Sequence, residues 1–191
     1  MRERRLEGLR VAALVADDFE QGELVEPMKA LQDAGATVQI VSPKANEVRG
    51  MRHDERANKF PVDVHLPKAN PEEFDALLLP GGALNADALR VIPEAQRFAE
   101  RMDEAGKPIA VICHGPWLLV SAGLVSGRTL ASYHTIKDDI RNAGGYWVNR
   151  EVVRDRNWVS SRGPSDIPAF NREMIDLFAE YKEQIKQRKA A

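Results

Sequence analysis

Short apolar runs alternate along the chain with stretches whose apolar residues return every three or four positions. Residues 9–16 form an apolar run broken only by Arg10, the pattern of a strand buried on both faces. Asp17-Asp18-Phe19-Glu20 follows as a turn and candidate cap, and Leu24, Met28 and Leu31 then recur at helical spacing until Gly35. Residues 37–41 read as a second strand, so this strand, helix and strand predict a right-handed parallel unit. Residues 43–65 are polar, with Lys44, Arg49, Arg52, His53 and Lys59, and alternate weakly only at 60–64. They predict a surface excursion with at most an edge hairpin, its charges forming a solvated face or a contact with a partner subunit.

The alternation resumes at Asn70-Pro71-Glu72-Glu73, a helix-start signal leading into a strand at 76–79 that Pro80-Gly81-Gly82 ends. Helical patterns cover 86–90 and 93–105, the second turning Phe98 and Met102 inward and stopping at Gly106. Residues 109–112 are a buried strand, followed by Cys113, His114, Gly115 and then Pro116 in the first turn of a helix carrying Trp117, Leu118, Leu119 and Val120. Further on, 129–132 reads as a strand and 136–143 as a helix closed by Gly144-Gly145. Val148, Val152-Val153 and Trp158-Val159 predict short strands that pair at one side of the sheet. A last helix opens at Asp166-Ile167-Pro168, and the polar end, 182–191, is expected to fray.

Such a succession predicts an α/β layer fold with a mainly parallel sheet. Ligands of such sheets sit beyond the carboxyl ends of the strands, where three loops converge: 17–20, 80–83 and Cys113-His114. Composition narrows the picture further. A chain of 191 residues suits one domain, 1–191, and 27 basic against 29 acidic residues give no pull toward nucleic acid or membrane, so the expected partner is small or protein-like. The lone cysteine cannot form an internal disulfide, and no run approaches the ~18 apolar residues of a membrane span. The basic start MRERRLEGLR leads into a strand rather than a signal-peptide core, so a cytoplasmic chain is expected.

Cys113 is the residue on which chemistry converges. Alone it reads as a small buried hydrophobe, but its strand-to-helix turn, the adjoining His114 and the upstream double glycine favour a reactive thiol. A free thiol ionises near pH ~8.5, so a nucleophile here needs local help from the helix start and from His114. The Gly82 N–H and the N–H of His114 are the candidate oxyanion hole. Glu20 is placed to approach the sulfur, raising the thiol pKa if ionised and stabilising the thiolate if protonated; otherwise it is a helix-start charge. Asp87 is a candidate to orient His114 or a solvated helix acid, and His134 a cleft residue or a surface cap. Trp117, Trp147 and Trp158 read as core or interface aromatics.

AVICHGPWLLVSAGL, FDALLLPGG, DDFEQGEL and SSRGPSDIPAFNREMI together resemble the ThiJ/PfpI superfamily, namely PfpI-like intracellular proteases and protein deglycases, over residues 9–177. The resemblance implies a flavodoxin-like three-layer sandwich, akin to class I glutamine amidotransferase domains, with helices on both faces and a nucleophile elbow. It places the reactive cysteine on Cys113, the adjoining histidine on His114, the sulfur-contacting glutamate on Glu20 and the oxyanion glycine on Gly82. It also implies an acidic third member from a neighbouring subunit, for which Asp87 is the nearest match although the loop carries one extra residue. The expectation is a cysteine hydrolase without cofactor or metal, acting in a stress response as a homodimer or larger ring. Its substrate would be a small carbonyl compound, a glycated protein or a peptide. The alternative is a redox sensor or holdase that oxidises Cys113.

Overall fold

The computed structural model describes residues 4–190. The first residues of the basic start, and residue 191 of the polar end, lie outside them. In chain order the elements are Arg10–Leu14 (β1), Phe19–Glu20 (β2), Gln21–Asp33 (α1), Thr37–Ser42 (β3), Glu47–Arg52 (β4), Glu55–Pro61 (β5), Val64–His65 (β6), Ala76–Leu79 (β7), Ala83–Arg90 (α2), Pro93–Glu104 (α3) and Ile109–Ile112 (β8). Pro116–Ser121 (α4), Thr129–Leu130 (β9), Lys137–Asn142 (α5), Tyr146–Trp147 (β10), Val152–Asp155 (β11), Trp158–Ser161 (β12) and Ile167–Ala190 (α6) complete them.

The main sheet has seven strands in the order β11-β12-β8-β7-β1-β3-β6, parallel throughout except for β11 against β12. Alternation along the strands divides the core. Val11, Ala13, Leu78 and Ile112 face one side, where Leu24 and Leu31 of α1 and Phe170, Met174 and Phe178 of α6 cover them. Ala12, Leu14, Leu77 and Val111 face the other, against Leu89, Phe98, Met102, Leu118 and Ile140 from α2 through α5. The three layers are therefore helices, sheet and helices, a flavodoxin-like sandwich.

Two expectations change. The polar excursion at 43–65 holds a full antiparallel hairpin, β4 and β5, to which β2 adds a third strand, and its last residues form edge strand β6 of the main sheet. Val48 and Phe60 face each other across the hairpin, Val48 is buried, and Phe60 packs on Phe19 with ring centroids 5.7 Å apart. A few apolar anchors suffice where a loop from the main sheet supplies the surface beneath. The polar end does not fray at 182: α6 continues to Ala190, with Lys182 Nζ donating to the Arg5 carbonyl at 3.0 Å. Among the described residues no helix is long and apolar enough to cross a membrane.

Candidate active site

Strands β1, β7 and β8 lie side by side, so the loops after their carboxyl ends meet. Cys113 follows β8 with φ 62, in the left-handed region that costs a non-glycine residue about 1–2 kcal/mol. Its neighbours hold it there. The Cys113 N–H donates to the Ser161 carbonyl at 3.1 Å, its carbonyl accepts the Tyr133 N–H at 2.8 Å, and the Gly115 N–H returns to Ile112 at 2.9 Å. The turn lifts the thiol to the end of the sheet, where the residue is 6% exposed.

His114 Nδ1 lies 3.3 Å from Cys113 Sγ, so the adjacent side chains converge. The ring stacks on Tyr133 with centroids 4.8 Å apart and meets the edge of Trp117 at 5.5 Å, while Nε2 lies 3.3 Å from Thr135 Oγ1. Burial, and then the neighbouring His134, push the imidazole pKa down, which leaves a neutral ring at pH 7.

The carboxyl group that meets the sulfur is Glu23, not Glu20. Glu20 precedes α1 in extended conformation and turns its Oε2 toward the β4–β5 turn, accepting the His53 N–H at 3.1 Å. Glu23, in the first turn of α1, points into the core with none of its surface exposed. Its Oε2 accepts the Gly81 N–H at 2.8 Å, its Oε1 has no nitrogen or oxygen partner, and the carboxyl hydrogen-bonds the Cys113 thiol. Burial pushes the Glu23 pKa up to about 8, so it is an acid rather than an anion at neutral pH. Burial, and then the charge Glu23 would carry, push the thiol up as well; the N–H groups of Gly82 and His114, both directed at the sulfur, act in the opposite sense.

Close approach explains the double glycine. A Cβ on Gly81 would stand 2.5 Å from Glu23 Oε2 and 2.6 Å from Cys113 Cβ, and Gly82 has φ 92. Buried Asn85 secures this turn: its Oδ1 accepts the Ala16 N–H at 2.7 Å and its Nδ2 donates to the carbonyls of Pro80 and Gly81 at 3.2 and 3.0 Å. Asp87 does not reach His114 within the chain. It is exposed on α2 and makes no hydrogen bond or ion pair among the described residues, because α2 turns Asn85, Ala86 and Leu89 inward. His134 stands beside the cluster, its ring 4.6 Å from that of Tyr133. Asp17 and Asp18 line a separate polar cavity of about 390 Å³ with Lys44, Arg49, Arg56 and Lys59. Among the described residues no group of three or more His, Cys, Asp and Glu side chains could hold a metal ion.

Sequence reasoning reached Cys113, His114 and Gly82 but not Glu23, Asn85, Tyr133 or Thr135. The available signal for Glu23 was its place beside Leu24 on the apolar stripe of α1, where an acid must be buried. Nothing local marked the others.

The chain is similar over most of its length to proteins of one family. The model of the DJ-1/PfpI family matches residues 9–177. A deglycase of Pyrococcus abyssi is 46% identical over 169 residues, 88% of this chain and 99% of its own. Protein/nucleic acid deglycase 2 of Escherichia coli is 38% identical over 170 residues, 88% of this chain and 96% of its own, and its name sits uneasily with the expectation, drawn from charge, that nucleic acid is no partner. A crystal structure of a two-domain protein from Anabaena variabilis, with DJ-1/ThiJ/PfpI-like and ferritin-like domains, superposes with a TM-score of 0.83 at 30% identity over 88% of this chain; the chain spans 47% of that protein.

Proposed function

We propose a reaction for this chain, which belongs to the DJ-1/PfpI family: cysteine-dependent hydrolysis of the deglycase type, removing dicarbonyl-derived groups from amines of proteins or nucleotides. The observation that carries the reading is Cys113 Sγ on a left-handed turn, 3.3 Å from a neutral His114 Nδ1, with two N–H donors directed at it. The thiol proton passes to Nδ1, and the thiolate bonds the carbinol carbon of the amine adduct as its C–N bond breaks, the nitrogen leaving as the free amine with the proton that His114 carries. The hemithioacetal left on Cys113 isomerises to a thioester by a 1,2 hydrogen shift through an enediolate that the Gly82 and His114 N–H groups stabilise, and water then cleaves the thioester, releasing a 2-hydroxy acid and returning the thiol. Glu23 supports the thiolate by staying protonated. A negative sulfur then meets two N–H donors and one O–H donor, whereas an ionised Glu23 would meet the Gly81 N–H and a weak S–H donor. Relatives named deglycases support this substrate class. A role in carbonyl stress follows from the chemistry.

The test is consumption of methylglyoxal and recovery of free amine from methylglyoxal-treated N-acetyl-lysine, beside a peptide substrate. Cys113→Ala is expected at background and His114→Ala lower by about 10²–10³-fold. Turnover that survives Cys113→Ala removes the reading, and cleavage of the peptide alone moves it to peptidase chemistry.

The enclosed sulfur also supports redox sensing. A protonated carboxyl and two N–H groups around a thiol at 6% exposure suit a sulfinate as well as a thiolate. Intact mass after mild peroxide separates the two: rapid gain of two oxygens at Cys113 with no dicarbonyl turnover selects the sensor.

A further inference from the structure

The partner of His114 within its own chain is a hydroxyl. We infer that Thr135 is a positioning residue for the Cys113–His114 pair, accepting the Nε2 proton of His114 so that the Nδ1 lone pair faces the sulfur. This rests on the reaction proposed above and extends it to the third group of the constellation.

Two observations place Thr135 by the fold rather than by chance. Its Oγ1 lies 3.3 Å from His114 Nε2 while Nδ1 of the same ring lies 3.3 Å from Cys113 Sγ, so the ring bridges hydroxyl and thiol. The short 3-10 turn His134–Ile136 that carries it is anchored on both sides: the Tyr133 N–H donates to the Cys113 carbonyl at 2.8 Å, and Ile136 is fully buried in the core beneath α2 through α5. Trp147 Nε1 donates to Ser132 Oγ at 2.9 Å, and Ser132 Oγ donates to the Tyr133 carbonyl at 2.8 Å, bracing the approach to the turn. The residue that completes the elbow's hydrogen bonding thus precedes Thr135 by two positions.

A ring with one N–H and one lone pair can take the thiol proton only if the lone pair sits at Nδ1. A hydroxyl at Nε2 that accepts the N–H selects that tautomer. When the S–H bond breaks, its proton forms the Nδ1–H bond, and both ring nitrogens then donate, one to the thiolate and one to Thr135 Oγ1; the pair's net charge is unchanged. A neutral hydroxyl differs from a carboxylate in this place because it orients the ring without drawing it into the imidazolium form beforehand. The titratable groups around the ring are Cys113 on its own turn, Glu23 of α1 at the sulfur, and Tyr133 and His134 from the turn after β9. Among the described residues the hydrogen-bond partner of His114 Nε2 is Thr135 Oγ1, whereas Tyr133 meets the ring by stacking.

The experiment compares wild type, Thr135→Val, Thr135→Ser and Asp87→Asn by the pH dependence of Cys113 alkylation with iodoacetamide and by kcat and KM for methylglyoxal. Thr135 is exposed, so Thr135→Val is expected to keep the wild-type Tm. Thr135→Val should slow alkylation at pH 7 and lower kcat by about threefold to tenfold, the worth of one neutral hydrogen bond, with the alkylation midpoint moved upward and KM unchanged. Thr135→Ser should restore both. Profiles of Thr135→Val that coincide with wild type overturn the inference, as do equal losses in the valine and serine variants. A shift in Asp87→Asn with none in Thr135→Val assigns the ring to a carboxylate instead and likewise overturns it. Alkylation needs no turnover, so a failed reaction and a failed role for Thr135 give different results.

Discussion

Cys113 occupies a conformation that its side chain disfavours, and its surroundings explain why it stays there. Both of its backbone polar groups are satisfied, by Ser161 and Tyr133, so relaxing φ from 62 would break hydrogen bonds at buried positions. Glu23 shows the same logic with a charge. An acid without exposed surface, accepting one N–H and touching a thiol, stays protonated to about pH 8 because ionising it would place a carboxylate in a space that water does not enter. Gly81 is the residue that lets these two approach. Gly81→Ala puts a methyl 2.5 Å from Glu23 Oε2, and is expected to cost about 1–3 kcal/mol in urea unfolding and to lower Cys113 alkylation at pH 7.

At the scale of elements, α1 and α2 act as supports whose inner faces carry polar groups. Helix α1 runs through Pro27, which lacks the N–H that would bond the Glu23 carbonyl, so the turn bearing Glu23 keeps only part of its helical hydrogen bonding. Its inward face still holds because Leu24 and Leu31 bury fully. Helix α2 begins at the double glycine and sends Asn85 back beneath it, joining the end of β1 to the end of β7 through three hydrogen bonds. Asn85→Ala leaves the Ala16 N–H and the Pro80 carbonyl without this partner, while the Gly81 carbonyl keeps the Glu20 N–H at 3.2 Å. The expected loss is about 2–4 kcal/mol by thermal or urea unfolding, from unsatisfied buried groups rather than from lost volume, and Asn85→Leu should not restore it.

The molecule as a whole places a fully buried acid, Glu23, where a central parallel sheet ends, and this makes stability depend on pH in a defined sense. Glu23 is held at about 8 in the folded chain against 4.5 for an ordinary glutamate, so the folded form binds the proton more tightly. The stability this contributes is complete below about pH 4.5 and falls as pH rises toward 8. Glu23→Gln removes the titration. The difference in unfolding free energy between wild type and Glu23→Gln should change between pH 5 and pH 8.5 by on the order of 2–5 kcal/mol, to the disadvantage of wild type, as followed by urea melts. A constant difference across that range would show that Glu23 ionises normally. The apolar cores beneath α1 with α6 and beneath α2 through α5 are common to both proteins and cancel in the difference.

The alternation of residues 9–16, 37–41, 76–79 and 109–112 with helical stripes determined the layered fold, because burial on both faces leaves a strand no polar position to use. The same runs located the loops and the cysteine turn, since ligands and strained turns collect at the carboxyl ends of parallel strands. Which acid meets the sulfur was decided only by the tertiary structure. Glu20 and Glu23 are three positions apart, and the choice between them depends on the extended entry into α1 and on the hairpin that captures Glu20. The same holds for Asn85, Tyr133 and Thr135, whose partners are 69, 20 and 21 positions away and belong to other elements. Hydrophobic periodicity is a local property and can be read along the chain, whereas a hydrogen bond between elements exists only once packing has set their distance and direction.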